Sequence, residues 1–447
     1  MEALTQPVLQ KISYARACLW APFYTVGMVI RVRGKIAEKD LRFALQKLQV
    51  LYPSLASRVI VNRDASACLT TKNVADLTFD VFPWSSEDQW AEVFLHNEKI
   101  PFSFEQGPIA RFILLQGEQY SDVIAIVPHV ICDGYSMSQV MIDLLRLLNH
   151  PEHEVIQPPP APPVCWDNVY HSPLNNLLLR GLARLINFTW NNGHRVVQQD
   201  YYEECHKQYW QAQNNRVSIT HFSPEETSTL VKKSRQHKTS VTAVLVAAFI
   251  KARLEQQPGI VKAPCEISIA VNIRDKLINP PGRAFGVYAS SFDEKVIINP
   301  QRTFWEMARD NYLSIQRAIH NPELMLRPLV LDELDPRIID SLLLDGLCSG
   351  TWNSKSRLLT RFIKIKGNAR CLDVSNIGRI EVTGQMPLYP FEALMPFPPL
   401  VPGDGMAVNV ITVNGAMKII LKYNENEMNE ETVVKVKNRV LDLLMGE

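Results

Sequence analysis

A histidine and an aspartate four residues apart carry the most informative chemical pattern in this chain of 447 residues. His129 follows the apolar run from Val123 to Pro128, and Asp133 and Gly134 come after a three-residue loop. A side chain at the end of a strand is well placed for function, and histidine titrates near neutral pH. His129 is therefore suited to remove a proton from a hydroxyl or an amine. A short pattern like this also occurs by chance, and the alternative is a buried histidine beside a helix-capping aspartate.

Other arrangements that could do chemistry are weaker. Cys132 stands beside His129, but neighbours in an extended loop point apart, so a buried inert cysteine is favoured over thiol catalysis. Gly134 to Ser138 lacks the closing glycine of a nucleophile elbow. The remaining histidines form one close pair, His150 and His153, and the cysteines include no Cys-x-x-Cys pair. We therefore predict no metal site.

Composition restricts the class of protein. The chain has 46% hydrophobic and 21% charged residues, which is ordinary for a globular protein. Its net charge of +1 argues against nucleic-acid binding as the main activity. No apolar run is long enough to cross a bilayer, and the first twenty residues lack a signal-peptide pattern. We expect a cytoplasmic protein without integral membrane association.

The elements that must position His129 repeat in two halves of the chain. Residues 1–150 alternate strand and helix patterns and end with a hairpin, the His129 loop and a helix. Residues 201–447 end in the same order, with a hairpin around Asn414-Gly415 and a helix at about 429–445. The pattern predicts two related lobes, of which only the first has a chemically equipped loop.

A linker is predicted between these lobes, over residues 151–200. Six prolines in residues 151–163 favour an extended, semi-rigid segment. Residues 174–190 then place apolar side chains at helical spacing, interrupted by Arg180 and Arg184. A plain amphipathic helix that covers the linker is the favoured interpretation, and a membrane-surface or lid helix is the alternative.

The His-x-x-x-Asp-Gly pattern resembles the signature of the chloramphenicol-acetyltransferase-like superfamily. That group includes condensation domains of peptide synthetases, polyketide-associated acyltransferases, wax ester synthases and alcohol acetyltransferases. Three further stretches, in the superfamily's order, are similar to the same group: Pro101 to Arg111, Val271 to Asp275 with Gly282 to Gly286, and Ser375 to Arg379. The resemblance covers residues 13–445 and is strongest toward the free-standing polyketide-associated or alcohol O-acyltransferases.

This resemblance implies an α/β (α+β) fold of two lobes, each a mixed β-sheet flanked by helices, with an active-site tunnel at the lobe interface. His129 would be the general base, and Gly134 would permit the turn after it. Asp133 would be structural, bonded to an arginine from elsewhere in the chain so that the loop is held in place. Arg274 is the first choice of partner and Arg283 the second.

The resemblance implies two more groups of residues along the tunnel. Ser375 or Asn376 would help to stabilise an oxyanion, unless both form an ordinary turn. A basic segment without acidic residues would either be a solvated surface or receive the phosphates of the acyl donor. Its candidate contacts are Lys355, Arg357, Arg361 and Lys364.

The implied activity is transfer of an acyl group from a thioester to the hydroxyl of a small molecule, in secondary or lipid metabolism. The donor would be acyl-CoA or the phosphopantetheine thioester of a separate acyl-carrier protein, and no cofactor would be bound. Pro128 stands where many condensation-type members carry a first histidine, and a DFGWG-type element is missing around Ser375. A condensation enzyme that joins the acyl group to an amine is the first alternative, and a non-catalytic binding protein of the same fold is the second.

Overall fold

The computed structural model describes residues 9–170, 173–190, 196–256, 265–296, 301–344, 372–402 and 405–446. Strands in these ranges are β1 Gln10–Ile12, β2 Thr25–Arg33, β3 Arg58–Val61, β4 Ala67–Thr70, β5 Phe79–Pro83, β6 Arg111–Gln116, β7 Tyr120–Pro128, β8 Asn215–Phe222, β9 Cys265–Asn272, β10 Ala289–Val296, β11 Leu372–Ile380, β12 Phe391–Phe397, β13 Met406–Val413 and β14 Ala416–Asn424. Helices are α1 Glu38–Leu51, α2 Gln89–Asn97, α3 Gly134–Asn149, α4 Pro173–Thr189, α5 Gln199–Gln211, α6 Pro224–Gln236, α7 Val241–Gln256, α8 Phe304–His320, α9 Glu323–Glu333, α10 Pro336–Leu344 and α11 Glu430–Met445.

The first lobe is built on a five-stranded sheet in the order β12-β2-β7-β6-β5. Strands β2 and β7 are buried along almost their whole length, because helices and neighbouring segments cover both faces. Helices α1 and α3 pack against each other, and α3 lies on β2. A small sheet in the order β1-β4-β3 lies beside them. The strand β7 thereby leads into the loop that carries His129.

The second lobe is built on a six-stranded mixed sheet in the order β10-β9-β11-β13-β14-β8. Alternate residues of its inner strands, such as Ile267 and Ile269 of β9, join a hydrophobic core with helices α7, α8 and α11. The residues between them, such as Ser268 and Ala270, face the space between the lobes. The predicted two-lobed α/β fold with helix-flanked mixed sheets is confirmed.

One strand from the part of the chain after residue 201 joins the sheet of the first lobe. Although β12 lies far along the chain, it pairs antiparallel with β2, so that Phe397 stands opposite Gly27. The ring of Phe397 stacks on Phe94, and any side chain at Gly27 would overlap the Phe94 ring. An apolar strand such as β12 can pair in either sheet. The local sequence pattern therefore does not show which sheet it joins.

In the predicted linker, the amphipathic segment forms helix α4 close to the predicted bounds. Ala183 and Trp190 pack into a cluster with residues of α9 and α10, and Arg180 pairs with Glu333 of α9. The opposite side of α4 exposes several large apolar side chains, namely Leu177, Leu178, Leu185 and Phe188. None of the described helices is long and apolar enough to cross a bilayer.

Candidate active site

His129 lies directly after β7, at the lobe interface. Its backbone N–H donates to the carbonyl of Tyr24 at 2.8 Å, which continues the pairing between β2 and β7. The imidazole meets the Tyr24 ring edge to face, with the ring centroids 6.0 Å apart. Within the described part of the chain, the buried Nδ1 atom has no hydrogen-bond partner. The imidazole is thus held by packing and by its backbone, not by an acidic side chain.

Burial controls the charge of this imidazole. Desolvation lowers the pKa of His129 below its usual value of 6.5, because the charged form loses water contacts. Backbone carbonyls of the same loop and the Asp133 carboxylate oppose part of that shift in the pKa. At neutral pH the ring is therefore uncharged and able to accept a proton.

Asp133 does not line the cavity, and its carboxylate accepts several hydrogen bonds. Its carboxylate accepts from the backbone N–H of Ser136 at 2.8 Å, which caps α3, and from the N–H of Tyr288 at 2.8 Å. It also accepts from Nη1 of Arg274 at 2.8 Å and from Nη2 at 3.3 Å. These bonds fix the start of α3, so the loop that bears His129 is anchored to the second lobe.

Arg274 is the arginine that Asp133 contacts. It comes from the 3₁₀ turn after β9, and its guanidinium lies between the rings of Tyr135 and Tyr288, 4.7 Å from each centroid. Nη2 also donates to the Ser136 hydroxyl at 2.7 Å. A planar, bidentate cation is needed for both the stacking and the paired hydrogen bonds.

The second predicted partner lies elsewhere. Arg283 is 56% exposed and stands 3.8 Å from Asp143, a residue of α3. It makes no ion pair with Asp133 among the described contacts.

Gly134 is placed at the first turn of α3 and lines the interface cavity. Its φ is not in the left-handed region, so the turn does not demand glycine, which corrects the reason that the sequence suggests. Glycine is favoured at this position for a steric reason instead. A Cβ atom at this position would lie 3.2 Å from Cδ1 of Ile377 on the other lobe.

Ser375 and Asn376 are separated by the alternation of β11. Ser375 lines the cavity, whereas Asn376 points to α7, where its Nδ2 donates to the Thr242 hydroxyl at 3.0 Å. The Asn376 Oδ1 accepts from the backbone N–H of Gly378 at 2.9 Å, across a β-bulge. Because both lie within a strand, the predicted alternative of an ordinary turn is wrong.

The cavity between the lobes has a volume of about 220 Å³ and is mainly apolar. His129 contributes from the first lobe, and Ser268, Ser375 and Asn409 contribute from the second. Apolar and small side chains form much of the remaining wall, among them Ala15, Met28, Ala270, Leu331, Phe397 and Val401. An apolar cavity with a few convergent polar groups is typical of a small-molecule site.

Further contacts at the cavity were not predicted from the sequence. The hydroxyl of Tyr14 donates to the carbonyl of Val287 at 2.6 Å, and the Tyr14 ring lines the cavity. Burial raises the pKa of Tyr14 well above 10, so its hydroxyl stays protonated. The carbonyl of Gly286 accepts from the Asp133 N–H and from the Ser136 hydroxyl. Their partners are more than a hundred residues away, and no local signal identifies them.

The predicted donor-binding residues Lys355, Arg357, Arg361 and Lys364 lie outside the described residues. Within the described ranges, no group of three or more His, Cys, Asp and Glu side chains is arranged to hold a metal ion.

Two comparisons with known sequences give partial matches. Residues 211–318 match the model of the phthiocerol/phthiodiolone dimycocerosyl transferase C-terminus. A curated relative from Brevibacillus parabrevis, one of the subunits of linear gramicidin synthase, is 26% identical over 148 residues. That match covers 30% of this chain and only 3% of the relative's length.

Solved structures match nearly the whole chain at low identity. Polyketide synthase associated protein 5 from Mycobacterium tuberculosis is 15% identical with a TM-score of 0.62, and the match covers 100% of both chains. A trichothecene 15-O-acetyltransferase from Fusarium sporotrichioides is 14% identical with a TM-score of 0.64, over 98% of this chain and 94% of that one. The epimerization domain from the third module of tyrocidine synthetase B is 14% identical with a TM-score of 0.62, over 100% and 98%. These likenesses show that the chain shares the fold of these proteins.

Proposed function

We propose that this chain, which has the fold of condensation domains and acyltransferases, moves an acyl group from a thioester to a hydroxyl acceptor. Neutral His129 accepts the hydroxyl proton while the acceptor oxygen attacks the thioester carbonyl carbon. The tetrahedral intermediate then collapses, the carbon–sulfur bond breaks, and the imidazolium returns its proton to the leaving thiolate. The products are one ester and one free thiol, and no redox change occurs.

One observation carries this proposal: His129 faces an apolar cavity between two lobes while Asp133 is fully engaged by Arg274 and backbone donors. An aspartate saturated in this way is a positioning residue for the loop. In the proposed reaction both reactants meet at this one base, and such orientation supplies much of the rate.

Ser375 is the better candidate for oxyanion stabilisation. Its side chain lines the cavity, and a hydroxyl donor directed at a developing negative charge lowers the barrier. The amide of Asn376 is already used by Thr242 and Gly378, so Asn376 is proposed to support the strand instead.

The donor in this proposal is acyl-CoA or an acylated phosphopantetheine on a separate carrier protein. The basic residues Lys355, Arg357, Arg361 and Lys364 would contact the phosphates that both donors share. No bound cofactor is needed for the reaction as written.

Amide formation is the second candidate. The match to one subunit of linear gramicidin synthase favours it, and the same base could accept a proton from an amine. Pro128, which stands where many condensation-type relatives have a first histidine, favours the ester-forming reaction.

The test measures thiol release and product mass for acyl-CoAs and acyl-carrier proteins with mixed alcohols and amines. His129→Ala is compared with His150→Ala, a histidine outside the cavity that contacts the Gln385 carbonyl. We expect equal amounts of ester and thiol, lost by about 10²–10⁴-fold only in His129→Ala. An amide product would select the second candidate, and a folded wild type that releases no thiol from any donor would favour a non-catalytic binding protein.

A further inference from the structure

Asn409 is a buried polar residue on the cavity wall. It lies in β13, is 6% exposed, and its Oδ1 has no hydrogen-bond partner within the described ranges. Buried carbonyl oxygens in proteins are nearly always hydrogen-bonded, because an unpaired one loses its water contacts without compensation. This oxygen therefore needs an explanation beyond folding.

The orientation of Asn409 follows from strand alternation. Val408 and Val410 belong to the core of the second lobe, so Asn409 points to the opposite face, where the cavity lies. It stands beside Ser375 in the parallel pairing of β11 and β13, and both residues line the cavity. Two polar side chains thus lie side by side on a wall that also includes Ser268, Ser290, Ser291 and Asp373.

We propose that Asn409 is a substrate-contacting residue whose amide oxygen accepts a hydrogen bond from an N–H or O–H group of the molecule held between the lobes. This inference rests on the proposed function and deepens it. Two sources share the required chemistry: the amide N–H groups of a pantetheine arm, and the hydroxyl or amine of the acceptor. In a cavity with few hydrogen-bonding groups, each such position helps to set the orientation of the ligand.

Substitution of a substrate-contacting asparagine affects folding stability and ligand affinity differently from substitution of a structural asparagine. Replacing Asn409 with leucine removes an unpaired buried group, so folding stability should stay equal or rise. Ligand affinity should fall at the same time, because the substrate donor would then be buried against an apolar side chain.

Asn311 provides a matched control. It lies on α8, is 9% exposed, and also has a buried amide atom without a partner within the described ranges, but it does not line the cavity. Leucine at this position removes a buried amide whose Nδ2 is unpaired within the described ranges, outside the cavity.

The experiment measures thermal stability and calorimetric binding for the wild type, Asn409→Leu, Asn409→Ala and Asn311→Leu. The first ligand pair is S-octylpantetheine, a thioether that cannot react, and its analogue with ester oxygens in place of the amide N–H groups. The second pair is 1-octanol and its methyl ether. We expect the wild type to prefer the N–H or O–H member of one pair by about three- to tenfold, and both Asn409 variants to lose that preference.

The pair that responds identifies the source of the donor. The Asn311→Leu protein should keep the wild-type preference. Two results would overturn the inference: an unchanged preference in folded Asn409 variants, or no preference of the wild type within either pair. Binding is read without turnover, so a protein that binds with this preference but transfers no acyl group would contradict only the proposed function.

Discussion

Asp133 and Arg274 are 141 residues apart in the sequence and are joined by hydrogen bonds of 2.8 and 3.3 Å across the lobe interface. Both side chains are buried, and the guanidinium is enclosed by the rings of Tyr135 and Tyr288. The pair connects the His129 loop to the turn after β9, so the position of the base depends on the docking of the two lobes.

The first prediction concerns this pair. Asp133→Ala leaves a buried guanidinium without its partner, and we expect the free energy of unfolding to fall by about 3–5 kcal/mol. Arg274→Lys should cost less but should also lower kcat, because an ammonium cannot make the paired bonds and the stacking together. Urea unfolding and steady-state kinetics measure both effects.

Arg283→Ala is the control for that experiment, since Arg283 is exposed and contacts Asp143 only at 3.8 Å. Its removal should change the free energy of unfolding by less than about 0.5 kcal/mol. An equal loss in the Arg274 and Arg283 variants would contradict the assigned role of Arg274.

A second prediction concerns Gly134. Gly134→Ala places a Cβ atom 3.2 Å from Cδ1 of Ile377, so the two lobes must separate slightly or Ile377 must move. We expect kcat/KM to fall while the secondary structure, measured by circular dichroism, is unchanged.

Shortening the Ile377 side chain tests whether crowding causes the loss of activity. The double variant Gly134→Ala with Ile377→Ala should recover part of the activity, because both Cδ1 and Cγ1, which would lie 3.3 Å from the new Cβ atom, are gone. If the double variant is as impaired as Gly134→Ala alone, crowding against Ile377 is not the reason for glycine.

The third prediction is the pH dependence of activity. The pKa of His129 lies below 6.5 because the ring is buried, and the neutral ring is the active form. kcat/KM should therefore be on its plateau at pH 7 and fall only as the pH drops below 6.5. A midpoint above pH 7 in the kcat/KM profile would rule out a buried neutral base.

The same lowered pKa affects folding. The folded state binds fewer protons at His129 than the unfolded state, so acidification below pH 6.5 favours unfolding. His129→Asn should lose this contribution, and urea titrations at pH 7 and pH 5 should show a smaller difference for the variant than for the wild type.

A fourth prediction concerns a second buried ion pair between the lobes. Nζ of Lys422 on β14 lies 2.5 Å from Oε2 of Glu98, at the end of α2, and both side chains are at most 1% exposed. Lys422→Met leaves the carboxylate buried and unpaired, which should lower the free energy of unfolding by about 3–5 kcal/mol.

Adding Glu98→Gln to Lys422→Met should restore part of that stability, because no unpaired charge remains. Lys435→Met, which removes an exposed pair with Glu431 on α11, should cost less than about 1 kcal/mol. A double variant as unstable as Lys422→Met would show that lost packing, not the buried charge, is responsible.

Local order in this protein could be predicted from the sequence because its causes are local. The apolar spacing from Glu38 to Leu51 is that of α1, and Asn414-Gly415 marks the turn between β13 and β14. The residues around His129 and Asp133 predict a loop between a strand and a helix, as found. In each case the determining interactions, such as helical spacing, turn conformation and capping, act within a few residues.

Tertiary structure alone decided how distant segments meet. Sequence patterns left two arginines as partners for Asp133, and docking of the lobes selects Arg274. Alternation along β11 turns Ser375 to the cavity and Asn376 to Thr242. Within the described residues, the lack of a partner for Oδ1 of Asn409 becomes evident only in the folded chain. Such contacts depend on burial and on strand pairing between segments far apart in the chain, for which a single sequence carries no local energetic signal.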